Sequence, residues 1–201
     1  ATYMAASQHG RESVIFHGEE RAERVKQRWT RLGLKDADPY VIPLRAAEDA
    51  LTSIRDINAM KDGKGIGMAI IDSIQTITLG GKRKYDAQYE AAEMIIGQVA
   101  SAGGCSVFVS HVDKAGTTHQ GAAALAHLVD IHIHLTANAK KSERMLEIRK
   151  NRGGRAGFQV ALNIQINGLS VGIPAPLNPG SGLGQARTLL EKARDLAYAM
   201  L

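Results

Sequence analysis

Short apolar runs alternate with longer amphipathic stretches over the first two thirds of the chain. Ser13–His17 (SVIFH) is the first apolar run. Glu20–Leu32 follows, charged along most of its length, with Val25, Trp29 and Leu32 spaced to share one helical face. Tyr40–Pro43 repeats the strand signal and Ala46–Met60 the helical one. A glycine-spaced linker (DGKGIG) leads into Met68–Ile71, an apolar strand ending at Asp72. Tyr85–Ala102 has helical spacing and is closed by Gly103 and Gly104, residues suited to a helix C-terminus. Ser106–Ser110 (SVFVS) is again apolar. Strands separated by helices predict an α/β fold with a mainly parallel sheet.

The rhythm then changes. Ile131–Thr136, Arg144–Arg149 and Phe158–Ile166 read as strands joined by short polar loops. Such loops leave no room for crossover helices, so these strands are expected to pair antiparallel and extend the sheet. Residues 174–184 (PAPLNPGSGLG) form a Pro/Gly linker. Gln185–Leu201 reads as an amphipathic helix with Leu189, Leu190, Ala193, Leu196, Ala197 and Met200 on its apolar side. The organisation is therefore a core over residues 1–173, a linker and a closing helix.

Composition narrows the class. With 44% hydrophobic and 22% charged residues, the chain has the profile of a globular domain rather than a disordered one. No apolar run approaches the ~20 residues that span a bilayer, and no charged-then-apolar leader marks secretion. The single cysteine, Cys105, excludes an internal disulfide framework and fits a reducing, cytoplasmic setting. A formal charge of +5 and a pI near 9.4 favour an anionic partner such as nucleic acid, with no membrane.

In an open parallel sheet, ligands sit at the carboxyl ends of the strands. That singles out Gly18–Glu20, Asp72–Gln75 and Ser110–Lys114. Asp72 and Ser73 follow a buried strand, where a nucleotide-binding core holds magnesium; the same residue types also cap helices. Glu19 and Glu20 follow SVIFHG, where a carboxylate orients water for attack; both would equally suit a helix N-terminus. His111 follows SVFVS, in a place to sense a phosphate or to serve as a hydrogen-bonded structural residue. Lys150, Asn151 and Arg152 run into a glycine-rich turn that suits a phosphate or a plain basic surface. Gly80–Tyr85 (GGKRKY) is a flexible basic loop with one aromatic, fit for a nucleic-acid backbone or for solvent. His132 and His134 alternate with apolar residues and lack a third ligand at metal-binding spacing, so they are expected on a solvated strand face.

The order of these signals is more specific than any of them alone. VIFHGEE, AIIDSIQTI, VFVSHVDKAG, LAHLVDIHIHL and RKNRGG, in that order over roughly residues 1–165, resemble the RadA (Sms) family of RecA-like ATPases, near the DnaB branch. The resemblance implies a RecA-like three-layer α/β/α core, ATP and Mg²⁺ as cofactors, and single-stranded DNA as partner. It also implies a homo-oligomer, a hexameric ring or filament with shared ATP sites. Glu19 would be the water-activating carboxylate, and Asp72, with Ser73, would serve the magnesium shell. His111 would take the sensor position. Lys150 and Arg152 would reach a neighbouring subunit's nucleotide. Lys82, Arg83 and Lys84, with Lys114 in the loop over Asp113–Gln120, would face DNA.

Three departures qualify the resemblance. No GxxxxGK[ST] phosphate-binding loop occurs in the chain, although ATP needs that nest of backbone NH groups. Residues 1–10 read as the end of the helix that begins inside such a loop, which places the motif upstream of Ala1. Gly153 stands where the family's KNRFG motif has phenylalanine, and the family's zinc-binding cysteines and C-terminal Lon-like domain have no counterpart. The expected function is a DNA-dependent ATPase motor in recombination, repair or replication. The alternatives are a DnaB-like replicative helicase motor, or a non-catalytic DNA-binding or assembly subunit that has lost its phosphate loop.

Overall fold

The computed structural model describes residues 10–32, 39–60, 65–81, 85–111, 120–137, 143–165 and 168–171. They fall into two compact units that divide between Leu128 and Val129. The predicted linker and closing helix at 174–201 lie outside the described residues.

The first unit runs β1 (Glu12–His17), α1 (Ala22–Arg31), β2 (Tyr40–Pro43), α2 (Ala47–Met60) and β3 (Ile66–Asp72). It continues through a 3₁₀ turn (Ile74–Thr76), α3 (Tyr85–Ser101), β4 (Cys105–Val109) and α4 (Gln120–Leu128). The strands form a four-stranded sheet in the order β2-β1-β3-β4, every pair parallel. Paired residues share a face, and the register sets Val14 and Phe16 beside Ala69 and Ile71. These four join Leu51, Ile54 and Ile57 of α2 and Ala92, Ile95 and Val99 of α3 in one buried core. β1 is buried at five of its six positions, as a strand covered on both faces must be.

Local chemistry explains the joints. Gly103 closes α3 with φ +71°, a conformation that favours glycine. The Arg11 guanidinium donates to the carbonyls of Ala102 and of Gly103, putting a cation at the carbonyl end of α3 and tying it to the start of β1.

The order 2-1-3-4 places the topological switch between β1 and β3, because the chain moves to opposite sides of β1 to build β2 and β3. Three neighbouring strands, β1, β3 and β4, also end level, with His17 beside Asp72 and Asp72 beside Val109. The segments leaving these strands therefore start from one line.

The second unit contains β5 (Ile131–Ala137), β6 (Glu143–Asn151), β7 (Phe158–Gln165) and β8 (Gly168–Val171), an antiparallel meander with a ladder of its own. β8 and α4 are additions to the elements read from the sequence. The histidines of β5 need a correction. His134 is buried at 7% exposure, while Ile133 and Leu135 are 38% and 48% exposed. Alternation alone assigns the polar set to solvent, but here the polar set lies on the better covered side. His134 Nδ1 stands 3.7 Å from Glu147 Oε2 of the facing strand. Burial, more than the charge of Arg149, lowers the pKa of His132.

Candidate active site

The segment leaving β1 is fixed against β3 at its first residue. Gly18 N donates to Asp72 O at 2.8 Å. A Cβ on Gly18 would lie 2.0 Å from Thr76 Oγ1, so only glycine fits beside the 3₁₀ turn. That turn is closed by Thr76, whose backbone N and Oγ1 both donate to Ser73 O, at 3.1 and 2.7 Å. The Asp72–Ser73 peptide is cis. Ser73 is completely buried, and its Oγ donates to Glu19 Oε1 at 2.7 Å. His111 Nε2, just beyond β4, lies 3.2 Å from the same carboxylate oxygen. Residues 54 and 92 positions from Glu19 thus meet on one atom.

The two adjacent glutamates have different surroundings. Arg28 of α1 donates to both carboxylate oxygens of Glu20, at 2.6 and 2.5 Å. His17 Nδ1 stands 2.5 Å from the Glu20 carbonyl oxygen. Glu20 is therefore turned onto the helix that follows it, and Glu19 faces the exits of β3 and β4.

Asp72 has its pKa raised above the ordinary aspartate value. Burial contributes most, followed by the charges of Glu19 and Glu20; His111 and Arg28 oppose them more weakly. Anionic oxygens crowded against a half-buried carboxylate favour a cation. Among the described residues no three His, Cys, Asp or Glu side chains are grouped to hold a metal ion unaided.

Further residues complete the rim and were given no role from the sequence. Gln75 Nε2 donates to Ser110 Oγ at 2.8 Å and to His111 O at 3.4 Å, linking the exits of β3 and β4. Gln88 of α3 donates to Gln75 O at 3.4 Å. In the sequence Gln75 stands out only as a member of the strand-exit segment Asp72–Gln75 and of the motif AIIDSIQTI.

The basic segment after β3 is described up to Gly81. Gly80 and Gly81 have φ +57° and +73°, and no atom lies within 4 Å of where a Cβ would stand on either. Conformation rather than space therefore calls for glycine there. Gly80 N donates to Glu48 Oε1 at 2.8 Å, which lowers the Glu48 pKa. Lys82, Arg83, Lys84 and Lys114 lie outside the described residues.

Lys150 and Arg152 belong to the second unit. Lys150 Nζ donates to Val129 O at 2.6 Å, and Arg152 Nη1 to Asp130 Oδ1 at 2.9 Å. Arg152 N also donates to Asp130 O at 3.0 Å. Asn151 Oδ1 accepts from Gly153 N at 3.0 Å, shaping the turn between them. The basic motif is thus built onto the entry to β5. No described helix is long and apolar enough to cross a membrane.

No family model matches the chain. Curated proteins named DNA repair protein RadA do. The chain is 29% identical over 176 residues to the one from Mycobacterium tuberculosis, covering 86% of this chain and 35% of that protein. It is 30% identical over 160 residues to that of Streptococcus pneumoniae, with 78% and 36% covered. For Chlamydia muridarum the figures are 28% over 167 residues, with 81% and 35% covered. Over most of its length the chain is therefore related to a segment of the RadA proteins, and it spans about a third of their length.

Proposed function

We propose that the chain is the motor part of a DNA-dependent ATPase of the RadA type, acting on single-stranded or branched DNA in repair, recombination or replication. The observation that carries this reading is the meeting of Glu19, Ser73 and His111 on one carboxylate oxygen beside Asp72, at the switch point of a parallel sheet. The relatedness to proteins named for DNA repair supports it.

In this reading Glu19 accepts a proton from the water that attacks the γ-phosphate of ATP. Asp72 holds a magnesium ion through its carboxylate; the ion, when bound, neutralises phosphate charge. His111 couples the occupancy of the site to the segment after β4. Lys150 and Arg152 serve a neighbouring subunit's nucleotide in a hexameric ring or filament. Lys82, Arg83, Lys84 and Lys114 contact DNA phosphates.

Steady-state ATP hydrolysis by the full-length protein tests the reading. Glu19→Gln is expected to keep ATP binding and to lose at least ~10²-fold in turnover, the usual contribution of a positioned general base. Unchanged turnover would remove Glu19 from the chemistry.

A further inference from the structure

We infer that Ser73 is a positioning residue: it acts through Glu19, fixing which carboxylate oxygen faces the attacking water, rather than through the metal ion. The inference rests on the reading of Glu19 as the water-activating group.

Three observations carry it. Ser73 Oγ is spent on Glu19 Oε1, at 2.7 Å, on a side chain with no exposure to solvent. A hydroxyl so enclosed has no open path to a ligand. The donor is itself held rigidly, because Ser73 O accepts from both the backbone N and the Oγ1 of Thr76. The acceptor, in contrast, belongs to a side chain that is 46% exposed. Left to itself, such a glutamate would sample several rotamers, and each would place its base elsewhere.

The geometry also divides the work of the two oxygens. Oε1 receives Ser73 from the buried side, and His111 stands 3.2 Å from it on the exposed side. Among the described residues Oε2 has no hydrogen-bond partner, so it is the oxygen left to accept a proton from water. Neighbouring Glu20 is directed elsewhere, with both of its oxygens accepting from Arg28. Orientation of this kind acts on turnover: a misplaced base still permits substrate to bind, while near-attack geometry is lost.

A double-mutant cycle in the full-length protein tests the inference. Ser73→Ala is expected to lower kcat for ATP hydrolysis by about ten-fold or more, with KM and magnesium requirement changed less than about two-fold. In the Glu19→Gln background the same change should cost nothing further, because the group being positioned is already gone. Equal losses in both backgrounds would mark Ser73 as structural. A raised magnesium requirement with kcat preserved would make it a member of the metal shell. Either result overturns the inference while leaving Glu19 in place. Turnover that survives Glu19→Gln overturns the underlying reading instead. Should Ser73→Ala lower the melting temperature so far that rates are uninterpretable, Ser73→Cys keeps the enclosed space nearly filled while exchanging the hydroxyl for a much weaker donor. The same cycle then applies: a kcat loss confined to the Glu19 background supports anchoring through Oε1, and a loss in both backgrounds overturns it.

Discussion

Gly18 and Thr76 approach so closely that a single methyl group at position 18 would fall 2.0 Å from Thr76 Oγ1 and 2.6 Å from its Cβ. The contact sets the spacing between the exit of β1 and the turn after β3, and Glu19 is the next residue. Gly18→Ala is expected to destabilise the fold by about 1–3 kcal/mol, the range for overpacking a close contact, and to move Glu19 away from Ser73. Chemical denaturation checks the first effect. Thr76→Gly in the same chain should restore part of the loss, since it vacates the space; no restoration would place the strain elsewhere.

Asp72 gives the stability a pH signature. Its pKa is raised in the folded protein, so the folded state binds the proton more tightly than the unfolded chain. The charged carboxylate therefore weakens the fold at neutral pH. That penalty fades as pH falls through the folded-state pKa and is gone below the unfolded value of about 3.9. Asp72→Asn should raise the melting temperature at pH 7 with a chelator present. The rise should not exceed roughly 2–4 °C, what 1 kcal/mol does to a domain of this size, because solvent screens a half-buried group. The gain should vanish near pH 4 or below. A drop in melting temperature at pH 7 would contradict burial and repulsion as the causes.

What the sequence showed and what it withheld follow from the reach of each signal. Strand runs such as MAII and SVFVS are local, so β3 and β4 were legible, and with parallel strands the exits carrying Glu19, Asp72 and His111 had to lie at one end. The difference between Glu19 and Glu20 was not legible, because it depends on Arg28 reaching back eight residues and on Ser73 arriving from 54 residues away. Gln75 lay within the strand-exit segment singled out from the sequence, but its role was not legible, because its partners Ser110 and His111 stand just beyond the next strand. His134 misled because alternation tells which residues share a face, and covering that face is a tertiary event.

Lys82, Arg83 and Lys84 follow Gly80 and Gly81. If they bind phosphates, replacing all three with alanine should weaken single-strand binding without sequence preference. The slope of log affinity against log salt should flatten by about 0.7 for each phosphate no longer neutralised. Nucleotide affinity and melting temperature should stay close to those of the parent, since charged side chains of this kind are seldom part of a core. An unchanged slope, measured by fluorescence anisotropy across a salt series, would return the loop to solvent. Arg21, Arg24, Arg28 and Arg31 would then be the next basic group to examine.

Arg152 separates stability from function most cleanly. Its ion pair with Asp130 is solvent-exposed on both sides, at 58% and 76%, and pairs of this kind contribute at most about 1 kcal/mol. Its backbone N still donates to Asp130 O after the side chain is removed. Where the melting temperature of Arg152→Ala stays near that of the parent, a large loss of ATP turnover is a loss of chemistry rather than of structure. Where that chemistry occurs can be read by mixing subunits. In a shared site, Arg152→Ala damages the half contributed to a neighbour, and Asp72→Asn damages the half kept at home. Mixed assemblies should then contain some interfaces with both halves intact, and activity should rise above that of either variant alone, greatest near equal proportions. If no ratio restores turnover, although each variant assembles normally by sedimentation, Arg152 acts within its own chain.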